Sequence, residues 1–278
     1  MGIKRSYCQY SNEPTDDAGV ESVKIYLPTK NGYIRYNLVH SVLPNKQCDT
    51  WRLGPAYHCN DEFAEDELLT RPRAEWEMAI RLRDRCDFIG GAAHGDEVFE
   101  SISVWINGAE RSLSTMCGLT PFETLMIRVD SVGFDPDAPG VQVLEHRKTV
   151  SACGDRLWVD QRVRWLADAL LGQSYLAMMP PLKTLTKRYR AGDTAYRPIT
   201  VRSFTDKGQL SSLTLQGDSG YTFTMSVPKY LSDGERNIFI ITDNGGDQYH
   251  KMYFVLCHSG AAHAGDCWET TTVYRIEK

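Results

Sequence analysis

Lys251-Met-Tyr-Phe-Val-Leu256 decides the reading of the fold: on an extended chain, Met252, Phe254 and Leu256 fall on one side and Lys251, Tyr253 and Val255 on the other. A strand so divided buries one face and offers the other to solvent or to a ligand. Runs of the same kind, rich in β-branched and aromatic residues and bounded by Gly, Asp, Asn or Pro, recur at residues 23–27, 33–39, 75–82, 101–106, 126–129, 221–225, 237–242 and 270–276. One segment departs from that pattern. Val159, Val163, Leu166 and Leu170 repeat at helical spacing, and Gly172 supplies a stop. Residues 133–140, with two prolines and two glycines, mark a long loop. The expected architecture is an all-β jelly-roll sandwich of two antiparallel sheets with one short inserted helix, as a single domain over residues 1–278.

The chain has 278 residues, 42% hydrophobic and 24% charged, with a formal net charge of −5. That composition is ordinary for a globular protein able to bury a core, and its acidic balance argues against a nucleic-acid partner held by phosphate contacts. No run without Asp, Glu, Lys or Arg is longer than residues 169–182, short of the roughly 18 apolar residues of a membrane span, so no membrane insertion is expected. The first ten residues lack the apolar region and small-residue cleavage site of a Sec signal. Cytosolic synthesis follows as the expectation, with any outside role reached by another route. Eight cysteines are spread along the chain without a C-x-x-C pair, which predicts free, mostly buried thiols and neither a zinc site nor a cofactor.

Two stretches carry candidate chemistry. In Glu75-Trp-Glu-Met-Ala-Ile-Arg-Leu82 the apolar residues alternate with Glu75, Glu77 and Arg81, which gives either a solvated sheet face or a groove lined with charge. In Asp87-Phe-Ile-Gly-Gly-Ala-Ala-His-Gly-Asp-Glu-Val-Phe99, paired glycines let a ligand approach and small neighbours leave His94 accessible. The plainer alternative is a bulge at Gly90 and Gly91, with His94 closing a turn with Asp96. His94 and Asp96 have metal-ligand spacing, but no third ligand follows, so no metal is assigned.

Phe88-Ile-Gly-Gly-Ala-Ala-His-Gly95 resembles the Ile-Gly-Gln-Ile-His-Gly type of strand in β-jelly-roll polysaccharide lyases, the group of alginate, glucuronan and heparin lyases. Arg73-Ala-Glu-Trp-Glu77 sits where those enzymes carry an Arg/Glu-rich strand. His250-Lys-Met-Tyr-Phe254 is similar to their Lys-and-Tyr strand, and residues 265–274 to a closing strand. Ala92 or Ala93 stands where many of them have Gln. The resemblance implies a lyase that cleaves a uronate-containing, anionic polysaccharide. Such a reaction neutralises the uronate carboxylate, removes the C5 proton and protonates the departing glycosidic oxygen. His94 and Tyr253 are the expected base and acid, and Arg73, with Arg81 or Lys251, binds the carboxylate. Glu75, Glu77, Asp96, Glu97 and Trp105 are further substrate contacts, with His58 and His40 in reserve.

Two rival readings remain. A glycoside hydrolase would use Glu75 and Glu77, since retaining enzymes hold their carboxylates about 5–5.5 Å apart and positions i and i+2 of a strand start roughly 6.5–7 Å apart. A non-catalytic carbohydrate-binding or virion module would use Trp105, on the face opposite Ile102, Val104 and Ile106, as a stacking platform. A polysaccharide site without a Sec signal fits a phage tail or depolymerase component, with virion or tail proteins as partners.

Overall fold

A computed structural model of the protein describes residues 4–15, 19–74, 76–90, 94–200, 204–207, 211–229, 238–242, 246 and 248–278, with residues 204–207 and 238–242 as backbone. The chain is all-β and forms a sandwich. One long sheet runs through neighbours in the order Ser6–Ser11, Gly19–Thr29, Gly32–Leu43, Cys48–Leu53, Glu97–Ile106, Leu125–Phe134, Gln142–Cys153, Arg156–Trp165, Cys267–Glu277, Thr222–Lys229 and Ser212–Gln216. Every pairing along it is antiparallel except that of Cys48–Leu53 with Glu97–Ile106, so the sheet is mixed rather than purely antiparallel. A second sheet orders Ser174–Met179, Lys251–Cys257, Ile238–Thr242 and Phe204–Lys207.

The period-2 patterns place the core as expected. In the strand Lys251–Cys257, Met252 and Phe254 are fully buried and Lys251 and Tyr253 half-buried, but Val255, expected on the open face with them, is buried where the register shifts beside Tyr175. In Arg156–Trp165, Leu157, Val159, Val163 and Trp165 point into the core, while Asp160, Arg162 and Arg164 are exposed. That strand corrects the expected helix at residues 159–172, whose remainder holds the short strand Ala169–Leu171. The reason is arithmetic: a spacing of four is even, so Val159 and Val163 share a strand face as readily as a helix face. Leu170 breaks the pattern by lying exposed. Among the described residues the helical turns are three short 3₁₀ segments, at Pro44–Lys46, Leu113–Met116 and Lys183–Leu185.

Residues 76–82 also differ from expectation, and Glu75 lies outside the described residues. Instead of a central strand they form an irregular segment running along the edge of the second sheet. Trp76, Met78, Ile80 and Leu82 are buried as the alternation requires, but Glu77 and Ala79 are buried too, so among the described residues of the polar face only Arg81 reaches solvent. Backbone bonds exchanged by Ala79 and Tyr175, at 3.0 and 2.9 Å, attach the segment to the edge of the second sheet. Gln161 of the long sheet ties the layers: its Oε1 accepts from Met78 N–H at 3.1 Å and its Nε2 donates to Leu176 carbonyl at 3.2 Å.

The stretch that resembles a lyase strand is likewise not one in its described part. Ile80 and Ile89 form an isolated bridge, Gly90 N–H donates to Gly95 carbonyl, and residues 91–93 lie outside the described residues. Gly95 is required there, because its φ is 96° and a Cβ would sit 2.3 Å from the Lys46 carbonyl oxygen. None of the eight cysteines is joined in a disulfide. Cys8, Cys48 and Cys59 are buried and Cys257 intermediate, but Cys86, Cys117, Cys153 and Cys267 are exposed, so most are not core thiols. No helix among the described residues is long and apolar enough to cross a membrane.

Candidate functional site

The outward face of the second sheet carries a row of rings. Tyr253 and Lys251 project from it because Met252, Phe254 and Leu256 take the core side. Register shifts on either side of Tyr175 interrupt the pairing of Ser174–Met179 with Lys251–Cys257, and Tyr175 stacks on Tyr253 at 4.5 Å between centroids. Phe88 stacks on Tyr175 at 5.9 Å, and His94 meets Phe88 at 4.7 Å. The bridges of Ile80 to Ile89 and of Ala79 to Tyr175 bring these distant stretches side by side.

Cations edge the row. The Arg81 guanidinium lies 5.4 Å from the Phe88 ring, Lys251 Nζ 5.7 and 6.0 Å from Tyr249 and Tyr253, and the Arg71 guanidinium 5.1 Å from Tyr249. Burial opposes the Lys251 charge, yet the Tyr253 and Tyr249 hydroxyls bonded to it outweigh that and hold its pKa above the usual lysine value. At Tyr175, burial raises the phenol pKa while Lys251 and Arg81 both pull against it, so both cations act on this ring. At the other end, Asp87 hydrogen-bonds His94 Nδ1. Burial would raise the Asp87 carboxyl, but the Phe88 N–H, His94 and Lys46 bring it below its ordinary value. An Nδ1–H held by a carboxylate puts the basic lone pair on Nε2.

Arg81, His94, Lys251 and Tyr253 are thus brought together from positions far apart in sequence. The other expected site residues lie elsewhere. Arg73 is exposed in left-handed backbone, φ 56°, and it is Arg71 that reaches the row. Glu77 is buried, accepts the Leu53 N–H at 2.5 Å and faces Lys148 Nζ at 3.4 Å, so it is sealed from substrate. Glu97 is buried beside His146 and Ser131, at 3.0 and 2.6 Å. His58 is a buried ring whose Nε2 bonds the Asn31 carbonyl at 2.8 Å, and His40 is held between Glu21 and Asp49. Trp105 is half-buried on the outer side of Glu97–Ile106 with Arg128 over it at 5.4 Å. Asp96 follows the His94 turn and shares its field with Asp87.

Sequence reading missed Asp87, Phe88, Tyr175, Tyr249 and Arg71. Tyr249 had a signal, since it continues the alternation of Lys251 and Tyr253; the others join through packing that no local pattern encodes.

No known family's sequence profile matches the chain, nor does any curated protein. Among solved structures, similarity is found to the GH36 α-galactosidase AgaA of Geobacillus stearothermophilus, at 10% identity and TM-score 0.49, over 92% of this chain and 40% of that one. The heparan sulfate lyase HepC of Pedobacter heparinus matches at 10% identity and TM-score 0.48, over 94% and 35%. A galactose mutarotase related enzyme of Lactobacillus acidophilus matches at 7% identity and TM-score 0.49, over 92% and 97%. The chain therefore spans well under half the length of the first two.

Proposed function

We propose that the protein binds an acidic polysaccharide along the Tyr253–Tyr175–Phe88–His94 row and cleaves it by β-elimination. The observation that carries this reading is the row itself: stacked rings offer faces to sugar rings, and Arg81 and Lys251 converge on Tyr175 where a uronate carboxylate needs neutralising. His94, oriented by Asp87, takes the C5 proton. The C5–H electrons form the C4–C5 double bond, the C4–O bond breaks, and the hydroxyl of Tyr253, bonded to Lys251, protonates the leaving oxygen. Hydrolysis by a Glu75/Glu77 pair finds no support, because Glu77 faces the core.

The test is cleavage of uronate polymers, followed by the ultraviolet absorbance of the unsaturated product. His94→Ala is expected to lower the rate by about 10²–10⁴-fold, the usual worth of a positioned acid or base. Asp87→Asn should cost less, and Tyr253→Phe, which removes the proton donor to the leaving oxygen, should slow cleavage of the C4–O bond. Unchanged rates in both His94→Ala and Tyr253→Phe would overturn the assignment. Saturable binding with no unsaturated product leaves the row as a platform without catalysis.

A further inference from the structure

Away from the aromatic row, cations of this protein meet carboxylates. Arg85, Arg147, Arg164 and Arg275 each bond an acid, respectively Asp135, Asp130, Glu145 and Asp155. On the row the pattern changes. Arg71, Arg81 and Lys251 have no acidic partner among the described residues; Arg71 rests on the Tyr249 ring, Arg81 on Phe88, and Lys251 on both Tyr249 and Tyr253. Like charges gathered without an acid between them repel one another, so an anion from outside is what such a surface complements.

Backbone contacts hold Arg71 at the end of the row away from His94. The buried Thr70 accepts the Ala56 N–H through its hydroxyl at 2.8 Å, and Arg71 N–H donates to the Pro180 carbonyl at 2.9 Å. Next along the chain, His250 N–H donates to the Pro181 carbonyl at 2.9 Å and Leu182 bridges Tyr249. The segment 180–182 therefore joins the backbone of Arg71 to that of Tyr249. Tyr249 is 9% exposed, too covered to stack on a sugar, and its ring acts as a spacer. The Arg71 guanidinium and Lys251 Nζ lie 5.1 and 5.7 Å from that one centroid, so the two charges are at most about 11 Å apart. One uronate carboxylate at Tyr175 engages Arg81 and Lys251. Arg71, exposed and carrying a planar guanidinium whose paired N–H groups match a carboxylate, is left for a second.

We propose that Arg71 anchors a second carboxylate subsite beyond Tyr249, so that the row takes a run of closely spaced uronates rather than a lone acidic unit in a neutral chain. The inference rests on the reading of the row as a polyuronate site and adds the charge spacing that the polymer must have.

Isothermal titration at low salt tests it, with galacturonate, trigalacturonate and fully methyl-esterified trigalacturonate as probes and His94→Ala as the parent protein, so that no probe is consumed. Trigalacturonate is expected to bind about tenfold or more tighter than galacturonate, and the ester, with the same rings and no charge, more weakly than the acid. Adding Arg71→Ala should weaken trigalacturonate about two- to fivefold, the worth of an exposed ion pair, and leave galacturonate unchanged, because a single carboxylate sits with Arg81 and Lys251. Arg71→Lys keeps the charge without the planar fork and should recover part of the loss. Lys251→Ala should weaken both acidic probes. Equal trigalacturonate affinity with and without Arg71 overturns the subsite and leaves the reading of the row standing. An equal loss for monomer and trimer also overturns it, since Arg71 would then serve the first carboxylate. Trigalacturonate that fails to bind, or that binds undiminished by loss of Arg71, Arg81 or Lys251, overturns the row and the subsite together.

Discussion

Asp96 sits in left-handed backbone, φ 54°, where its charge meets burial first and then the nearby Asp87 carboxylate, and its pKa is pushed up to about 6. Between roughly pH 4, its value in an unfolded chain, and pH 6 the folded protein holds a proton that the unfolded chain has released. Stability therefore falls as pH rises through that window and stays lowered above it. Asp96→Asn keeps a side chain that tolerates left-handed backbone and removes the charge. It should gain about 1 kcal/mol at pH 7, allowing for solvent screening of a half-exposed group, and nothing at pH 4. Urea melts at the two pH values measure this; an equal gain at both would mean that the carboxylate charge is not the cause. The next residue has the opposite sign. Burial would raise Glu97, but His146, Lys148 and the Ser131 hydroxyl bring it down to about 2, so its contribution is present at neutral pH and is lost as pH falls from roughly 4.5 toward 2.

Residues 76–82 and the strand Arg156–Trp165 show what a sequence pattern does and does not contain. Alternation marked Trp76, Met78, Ile80 and Leu82 as buried, and they are, because the period of apolar residues reports which side faces the core. It could not report that both sides of this segment are covered. Glu77 is buried through Lys148, a partner on the strand Gln142–Cys153 far along the chain. The same limit hid half of the candidate site: Lys251 and Tyr253 were legible from period 2, and His94 from its small neighbours, but Phe88 and Tyr175 join them only after the Ala79–Tyr175 and Ile80–Ile89 bridges form. Lys148→Met should destabilise by about 3–5 kcal/mol, since it strands a buried carboxylate. Adding Glu77→Gln, whose amide oxygen can still accept the Leu53 N–H, should recover a large part of that loss. Chemical denaturation of the two singles and the double measures the coupling. Additive losses would show that Glu77 and Lys148 do not act as a pair.

The molecule carries a net charge of −5, yet Arg71, Arg81 and Lys251 gather along one face while Asp84, Asp96, Asp135 and Asp137 cluster by their mutual fields near Arg85 and Lys46. Net charge governs long-range encounter, and the local face governs what is held. An acidic polymer approaching this protein meets weak overall repulsion and then a cationic, ring-lined surface. Those two contributions respond differently to salt, because exposed charges are screened over about 10 Å at 0.1 M and about 3 Å at 1 M, whereas ring stacking is not. Affinity for a polyuronate should therefore fall as sodium chloride rises. In Arg81→Ala/Lys251→Ala the affinity should be lower at every salt concentration and nearly flat with salt. Tyr175→Ala, checked for folding by circular dichroism, should bind more weakly but keep the wild-type salt slope, since it removes a stacking face and leaves both cations. Titrations at several salt concentrations separate the cases. A double variant that retains the full slope would place the polymer somewhere other than this row.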